Sequence, residues 1–266
     1  VSVGLIIEKC RADNRAALIG YLPVGFPSVE GSITAMKVLV ESGVDIIEIG
    51  VPYSDPVMDG PVIQDAAVRA LARGVRLGDI FTAAREVSGA GAGALVMTYW
   101  NPVLRYGVER FATDLAAAGG AGLITPDLIP DEAGEWIAAA DAHDLDKVFL
   151  VAPSSTPERL AAVTSQCRGF VYATAVMGVT GARASVGEAA DALVSRTREH
   201  TDLPVCVGLG VSTGDQAAEV GRYADGVIVG SALVRCLTEA DSEEQGLEAL
   251  GALACELADG VRRGRS

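Results

Sequence analysis

Short apolar runs alternate along this chain with longer stretches in which apolar residues return every three or four positions. The short runs lie at 18–22, 46–51, 94–99, 122–125, 148–152, 169–174, 204–208 and 226–229. They are rich in Val, Ile and Leu with few polar interruptions, the pattern of parallel strands whose outer face is covered. Between them the spacing predicts helices over 29–42, 109–118, 131–142, 157–165, 187–199 and 214–222, with 242–262 closing the chain. In the first, Val29, Ile33, Met36 and Val40 share one face and Gly43 ends it. Asp131, Thr156 and Thr213 stand at expected N-caps. Strand and helix alternate without a linker or shift in composition. Eight strands in that order predict an α/β fold, one (β/α)8 TIM barrel over residues 1–266, and the length suits it. In such a barrel the chemistry belongs to the loops that follow the strands.

Composition narrows the function. Half the residues are hydrophobic but only 5% are aromatic, so the core is built of Ala, Val, Leu and Ile. Asp plus Glu is 35 against 21 Lys plus Arg, a net charge of −14. That surface repels nucleic-acid backbones and anionic lipid, so neither is an expected partner. A phosphorylated small molecule is still compatible, because backbone N–H groups at helix ends hold anions locally. The five cysteines form no CxxC pair, and free thiols in a reducing cytoplasm are expected. The apolar run at 3–7 is too short for a signal core, and the run at 115–126 is too short to span a membrane.

Two carboxylates stand out. Glu48 interrupts the run Val44 to Val51, and a carboxylate inside a barrel strand loses hydration, which raises its pKa and suits it to proton transfer near neutrality. A core Glu paired with a buried cation would give the same pattern. Asp59 lies in the loop PYSDPVMDGP, where Asp-Gly-Pro is equally the chemistry of a turn or a helix start. The two histidines, His143 and His200, fall near predicted helix C-termini, away from the active face. A histidine base or histidine-bound metal is therefore not expected. Glycines cluster after the last three strands, in Gly178-Val179-Thr180-Gly181, Gly208-Leu209-Gly210 and Gly230-Ser231. Three such loops in one quadrant suit a phosphate, although glycines also simply end strands and permit tight turns.

The segments EIGVPYSDPVMDGP (48–61), GYLPVGFP (20–27), VMTYWNPV (96–103), GLITPDLIPDE (122–132), MGVTG (177–181) and VGLGVS (207–212) together resemble the tryptophan synthase α subunit family, in order and spacing. The resemblance covers essentially the whole chain. It implies retro-aldol cleavage of indole-3-glycerol phosphate to indole and glyceraldehyde 3-phosphate. Glu48 would then be the acid/base, Asp59 would accept the indole N–H, and Tyr172 would position substrate and Glu48. Gly181, Gly210, Gly230 and Ser231 would hold the phosphate. Tyr21, Met97, Tyr99, Ile124, Thr180 and Ile228 would line the indole pocket, and each also reads as ordinary barrel filling. The resemblance further implies no cofactor and no metal in this chain. It implies a β subunit carrying pyridoxal phosphate as partner, in an α2β2 complex, docked on the loop after strand two and on 127–132.

The chain departs from the family pattern at Ala175-Val176-Met177, Leu209, Tyr53 and Pro130. None of these is a proposed proton donor; the first lies in the loop after strand six, which by resemblance is a mobile lid, and would loosen its closure, and the second would alter packing around indole and phosphate. From the phosphate loops alone, another phosphosugar isomerase or epimerase stays open, as does a barrel that serves mainly to bind and activate a partner.

Overall fold

The computed structural model describes residues 1–175, 183–208 and 210–265, with the side chains at 183–186 outside the described set. Each of the eight apolar runs forms strand. These are β1 Ala17–Pro23, β2 Ile46–Gly50, β3 Gly93–Met97, β4 Gly122–Ile124, β5 Asp146–Val148, β6 Leu150–Val151, β7 Val171–Thr174, β8 Val205–Gly208 and β9 Gly226–Val229. All pair in parallel, in the order β5-β4-β3-β2-β1-β9-β8-β7-β6. The fifth run supplies both ends of that order: β5 bonds to β4, β6 bonds to β7, and only Phe149 separates them. The sheet therefore meets itself at one strand position, and the architecture is the expected (β/α)8 barrel.

The alternation of side chains sorts the strands into two cores. Inward residues such as Ile19, Ile46, Leu95, Ile124, Phe170 and Cys206 pack together inside the barrel. Outward residues such as Leu18, Ile47, Val96, Leu123 and Val207 pack against the helices. Helix α1, Val3–Ala12, was not predicted. It turns Val3, Ile7 and Cys10 into the inner cluster and so plugs the base of the barrel. Its N-terminus is tied down by the Asp146 carboxylate, which accepts from Val3 N at 2.7 Å and from Ser2 Oγ at 2.8 Å. Across the base, the buried Asp225 accepts from Val205 N and from Arg11, Arg198 and Arg265. Burial pushes Asp225 up, but that amide and those guanidinium groups outweigh it and hold the carboxyl below its ordinary range.

The outer helices are α2 Val29–Glu41, α3 Pro61–Ala72, α4 Asp79–Gly89, α5 Trp100–Tyr106, α6 Val108–Ala117, α7 Gly134–Ala142, α8 Pro157–Gln166, α9 Arg183–Arg198, α10 Gly214–Gly221, α11 Ser231–Thr238 and α12 Glu243–Arg263. Thr156 and Thr213 cap α8 and α10 as expected, each accepting from the backbone N–H three residues on. Gly43 follows α2 with φ +99°, a conformation that favours glycine. Asp131 does not cap a helix. Pro130–Glu132 forms a separate 3-10 turn, α7 starts only at Gly134, and the Asp131 carboxylate instead pairs with Arg159 at 2.6 Å. All five cysteines are free. Among the described residues no helix is long and apolar enough to cross a membrane.

Candidate active site

Parallel strands all end on the same side, and their last inward side chains surround a cavity of about 260 Å³ at that end. Tyr21 from β1, Glu48 from β2, Met97 from β3, Leu150 from β6, Tyr172 and Thr174 from β7, Gly208 from β8 and Ile228 from β9 form its floor and walls. Met58, Asp59, Gly60 and Ile63 line its rim after β2, and Gly210, Gly230 and Ser231 line it after β8 and β9, Gly230 lying next to Ile63.

Glu48 is only 1% exposed, and its Oε1 is buried without a hydrogen-bond partner. Among the described residues no cation pairs with it, so the core ion pair allowed by the sequence is not what is found. Burial alone pushes its pKa up to about 8. A strand register places Tyr21 beside it, and Tyr172 reaches toward it from across the barrel. Burial holds both tyrosine hydroxyls well above the usual phenol range, with Asp59 and Glu48 adding to the effect on Tyr21 and Glu48 on Tyr172. The two rings reach into notches left by glycines. A Cβ built on Gly50 would stand 2.2 Å from the Tyr21 hydroxyl, and one on Gly208 would stand 2.6 Å from that of Tyr172.

Asp59 does not cap the helix it precedes. Gly60 is the N-cap of α3, Pro61 occupies the first turn, and no side chain caps that end. The Asp59 carboxylate is free to face the cavity. Burial raises its pKa, and a hydrogen bond with the Tyr99 hydroxyl opposes that rise. Asp55, in the same loop, is exposed and accepts from Ser54 Oγ at 2.6 Å.

In the loops after β8 and β9, Gly210 has φ +70° and is exposed, and Gly230 is the N-cap of α11 with Ser231 first in the helix. The first N–H groups of a helix have no partner within it, so this corner offers donors and the positive end of a dipole to an anion. Among the described residues no group of three or more His, Cys, Asp and Glu side chains is placed to hold a metal ion.

Glu48, Asp59, Tyr172, Gly210, Gly230, Ser231, Tyr21, Met97 and Ile228 are thus brought together around one space. Two expected pocket residues are not on its wall. Ile124 is fully buried in the inner packing layer, and Tyr99 lies behind the 53–60 loop. Thr180 and Gly181 lie outside the described residues. Sequence reading missed Met58, Gly60, Ile63, Leu150 and Thr174, and named Gly208 only as part of a glycine loop suited to phosphate. Thr174 could have been found, since it stands two positions beyond Tyr172 on the same face of one strand.

Comparison with known proteins agrees over the whole chain. The family model described as tryptophan synthase alpha chain matches residues 7–262. The tryptophan synthase alpha chain of Mycobacteroides abscessus is 63% identical over 258 residues, covering 97% of this chain and 96% of that one. The structure of Mycobacterium tuberculosis tryptophan synthase superposes with a TM-score of 0.91 at 62% identity, covering 98% of both chains. At 32% identity the Legionella pneumophila alpha subunit still gives a TM-score of 0.89 over 98% of each chain.

Proposed function

The chain belongs to the tryptophan synthase alpha chain family, the lyases that cleave indole-3-glycerol phosphate to indole and glyceraldehyde 3-phosphate, and we propose that Glu48 carries the proton through both halves of that reaction. The observation that carries this reading is the solitary burial of Glu48. A buried carboxyl group with no cation beside it among the described residues and an unsatisfied oxygen stays protonated up to about pH 8 and is therefore an acid at neutrality.

In the first half the Glu48 proton passes to C3 of the indole ring. The ring becomes a cation with its charge on N1, and the Asp59 carboxylate accepts the N1–H and stabilises that charge. In the second half the Glu48 carboxylate takes the proton of the glycerol hydroxyl next to the ring. The C–C bond breaks, its electron pair returns to the indole, and the hydroxyl carbon becomes the aldehyde. Glu48 ends protonated, as it began. The ring itself accepts the electrons, so this route calls on no group beyond the side chains named. Tyr172, whose hydroxyl occupies the notch at Gly208, orients the glycerol chain and Glu48. The donors at Gly210, Gly230 and Ser231 hold the phosphate at the far end, and Tyr21, Met97 and Ile228 flank the ring.

The rim suits a protein partner. Val57, Leu104 and Ile129 are 80%, 51% and 46% exposed, and they come from the loops and helix that follow three adjacent strands, β2, β3 and β4. An apolar arc of that kind around a cavity mouth is the surface of an interface. The partner that fits is the pyridoxal-phosphate β subunit, with indole leaving this barrel into it. The test is indole release from indole-3-glycerol phosphate by the isolated chain, repeated with the β subunit and with Glu48→Gln. No indole under either condition for the parent chain would overturn the reading.

A further inference from the structure

We propose that Tyr99 is a positioning residue for Asp59, its hydroxyl fixing the 53–60 loop so that the carboxylate faces the substrate. The inference rests on the reading of Asp59 as the indole N–H acceptor. Tyr99 follows the end of β3 and is the N-cap of α5, so its ring leaves the barrel wall and passes behind the loop that follows β2. The hydroxyl accepts from Val57 N at 3.1 Å and from Met58 N at 2.9 Å. Those are consecutive amides, and Asp59 is the next residue. With both lone pairs engaged, the phenol has one hydrogen left to donate. The neighbouring carboxylate that this phenol acts on is that of Asp59, which takes that hydrogen in the proposed arrangement.

The ring is itself held. Tyr99 is 5% exposed and packs against Tyr53 with centroids 5.3 Å apart, and the Tyr53 hydroxyl accepts from Asn101 Nδ2 at 3.2 Å. The loop it grips has little else inside the barrel to hold it. Val57 and Met58 are 80% and 54% exposed, and beside the Asn101–Tyr53 bond the other described tie is Gln64 Nε2 donating to the Asp59 carbonyl. One oxygen therefore joins the backbone of an exposed loop to the charge that must meet the indole cation. A carboxylate freed from it keeps its chemistry but loses its orientation, which is the costlier loss in a preorganised site.

The experiment compares Tyr99→Phe, Asp59→Asn and the double variant in the full chain, measuring kcat/KM for indole release against pH. Tyr99→Phe is expected to lower kcat/KM about tenfold, the scale of one hydrogen bond to a charged group. A donor to a carboxylate favours its charged form, so losing it raises the Asp59 pKa. The acid limb of the profile should move to higher pH. In the Asp59→Asn background the same substitution should change kcat/KM by less than about twofold, because its effect is spent. Amide exchange at Val57 and Met58 should quicken in Tyr99→Phe while the strands keep their protection. An unshifted profile, or an equal loss in the Asp59→Asn background, or unchanged exchange at the two amides, overturns the proposal. Asp59→Asn with unimpaired turnover overturns the role of Asp59 itself, and the proposal falls with it. A large Asp59→Asn loss beside an unaffected Tyr99→Phe removes the proposal alone.

Discussion

The Tyr21 hydroxyl fills the space that a side chain at position 50 would need, 2.2 Å from where a Cβ on Gly50 would stand, with the ring atoms Cζ and Cε2 at 2.4 and 2.5 Å. Tyr21 is 8% exposed and packed on every side but the cavity, so a methyl group at position 50 can displace it only inward. Gly50→Ala is expected to push the phenol over Glu48 and shrink the space for the indole ring. Activity should fall at least tenfold, and stability by about 1–3 kcal/mol, the usual cost of overpacking. Steady-state kinetics and a thermal melt of the same preparation check both. Parent-like kinetics would show that the notch is not used.

Glu48 sets two pH dependences. Its reactive form is the protonated one, so kcat/KM should decline as pH rises through about 8. Glu48→Gln should abolish indole release while leaving the barrel folded. The linkage to stability runs in the same direction. The folded-state pKa lies above the unfolded value, so the contribution of Glu48 is intact below about 4.5 and is lost as pH rises to about 8. Glu48→Gln should therefore be more stable than the parent chain, by a margin that grows over that window and levels off above it. Urea melts at pH 5, 7 and 9 measure the margin; a constant difference would mean that Glu48 is not buried as a neutral acid.

A phosphate held by the first turn of α11 predicts a charge effect confined to binding. Ser231→Asp puts a carboxylate among the N–H donors meant for the substrate. KM should rise at least tenfold with kcat within about threefold, the signature of lost uniform binding. The melting temperature should hold or rise slightly, because an acidic residue suits a helix N-terminus. A fall in kcat with unchanged KM would place the phosphate elsewhere.

The apolar rim predicts a separable defect. Leu104→Glu together with Ile129→Glu touches no residue of the cavity and should leave the unassisted release of indole intact. Burying two such side chains contributes a few kcal/mol, so affinity for the β subunit should weaken by about a hundredfold or more. Titration calorimetry and the activation curve with added β subunit read this directly. Undiminished activation would move the interface to another face.

Much of this was visible in the residues. The strand runs could be read because barrel strands are apolar on both faces, and that signal is local. Helix α4 was not, since much of its buried face is Ala83, Ala84 and Val87, small residues that count as core only once the packed face is known. Glu48 was legible as a break in a strand. The glycine notches were not, because they depend on register between strands: Gly50 pairs with Pro23, two residues beyond the tyrosine whose hydroxyl it admits. Tyr99 misled for a clear reason. It stands two positions after Met97, which in a continuing strand would turn it inward, but β3 ends at Met97 and the rule ends with it. Ile124 does point inward, yet alternation reports the face of a strand and not where empty space remains.

Helix α1 gives the barrel a sealed floor. With Val3, Ile7 and Cys10 wedged beneath the reaction chamber, the described residues leave a freshly made aromatic product no route downward past that helix. It must depart on the side by which the sugar phosphate arrived. A vessel with its bottom stoppered becomes a one-way feeder as soon as another body seats on its lip, and losses to the surrounding water then depend on the tightness of that seal.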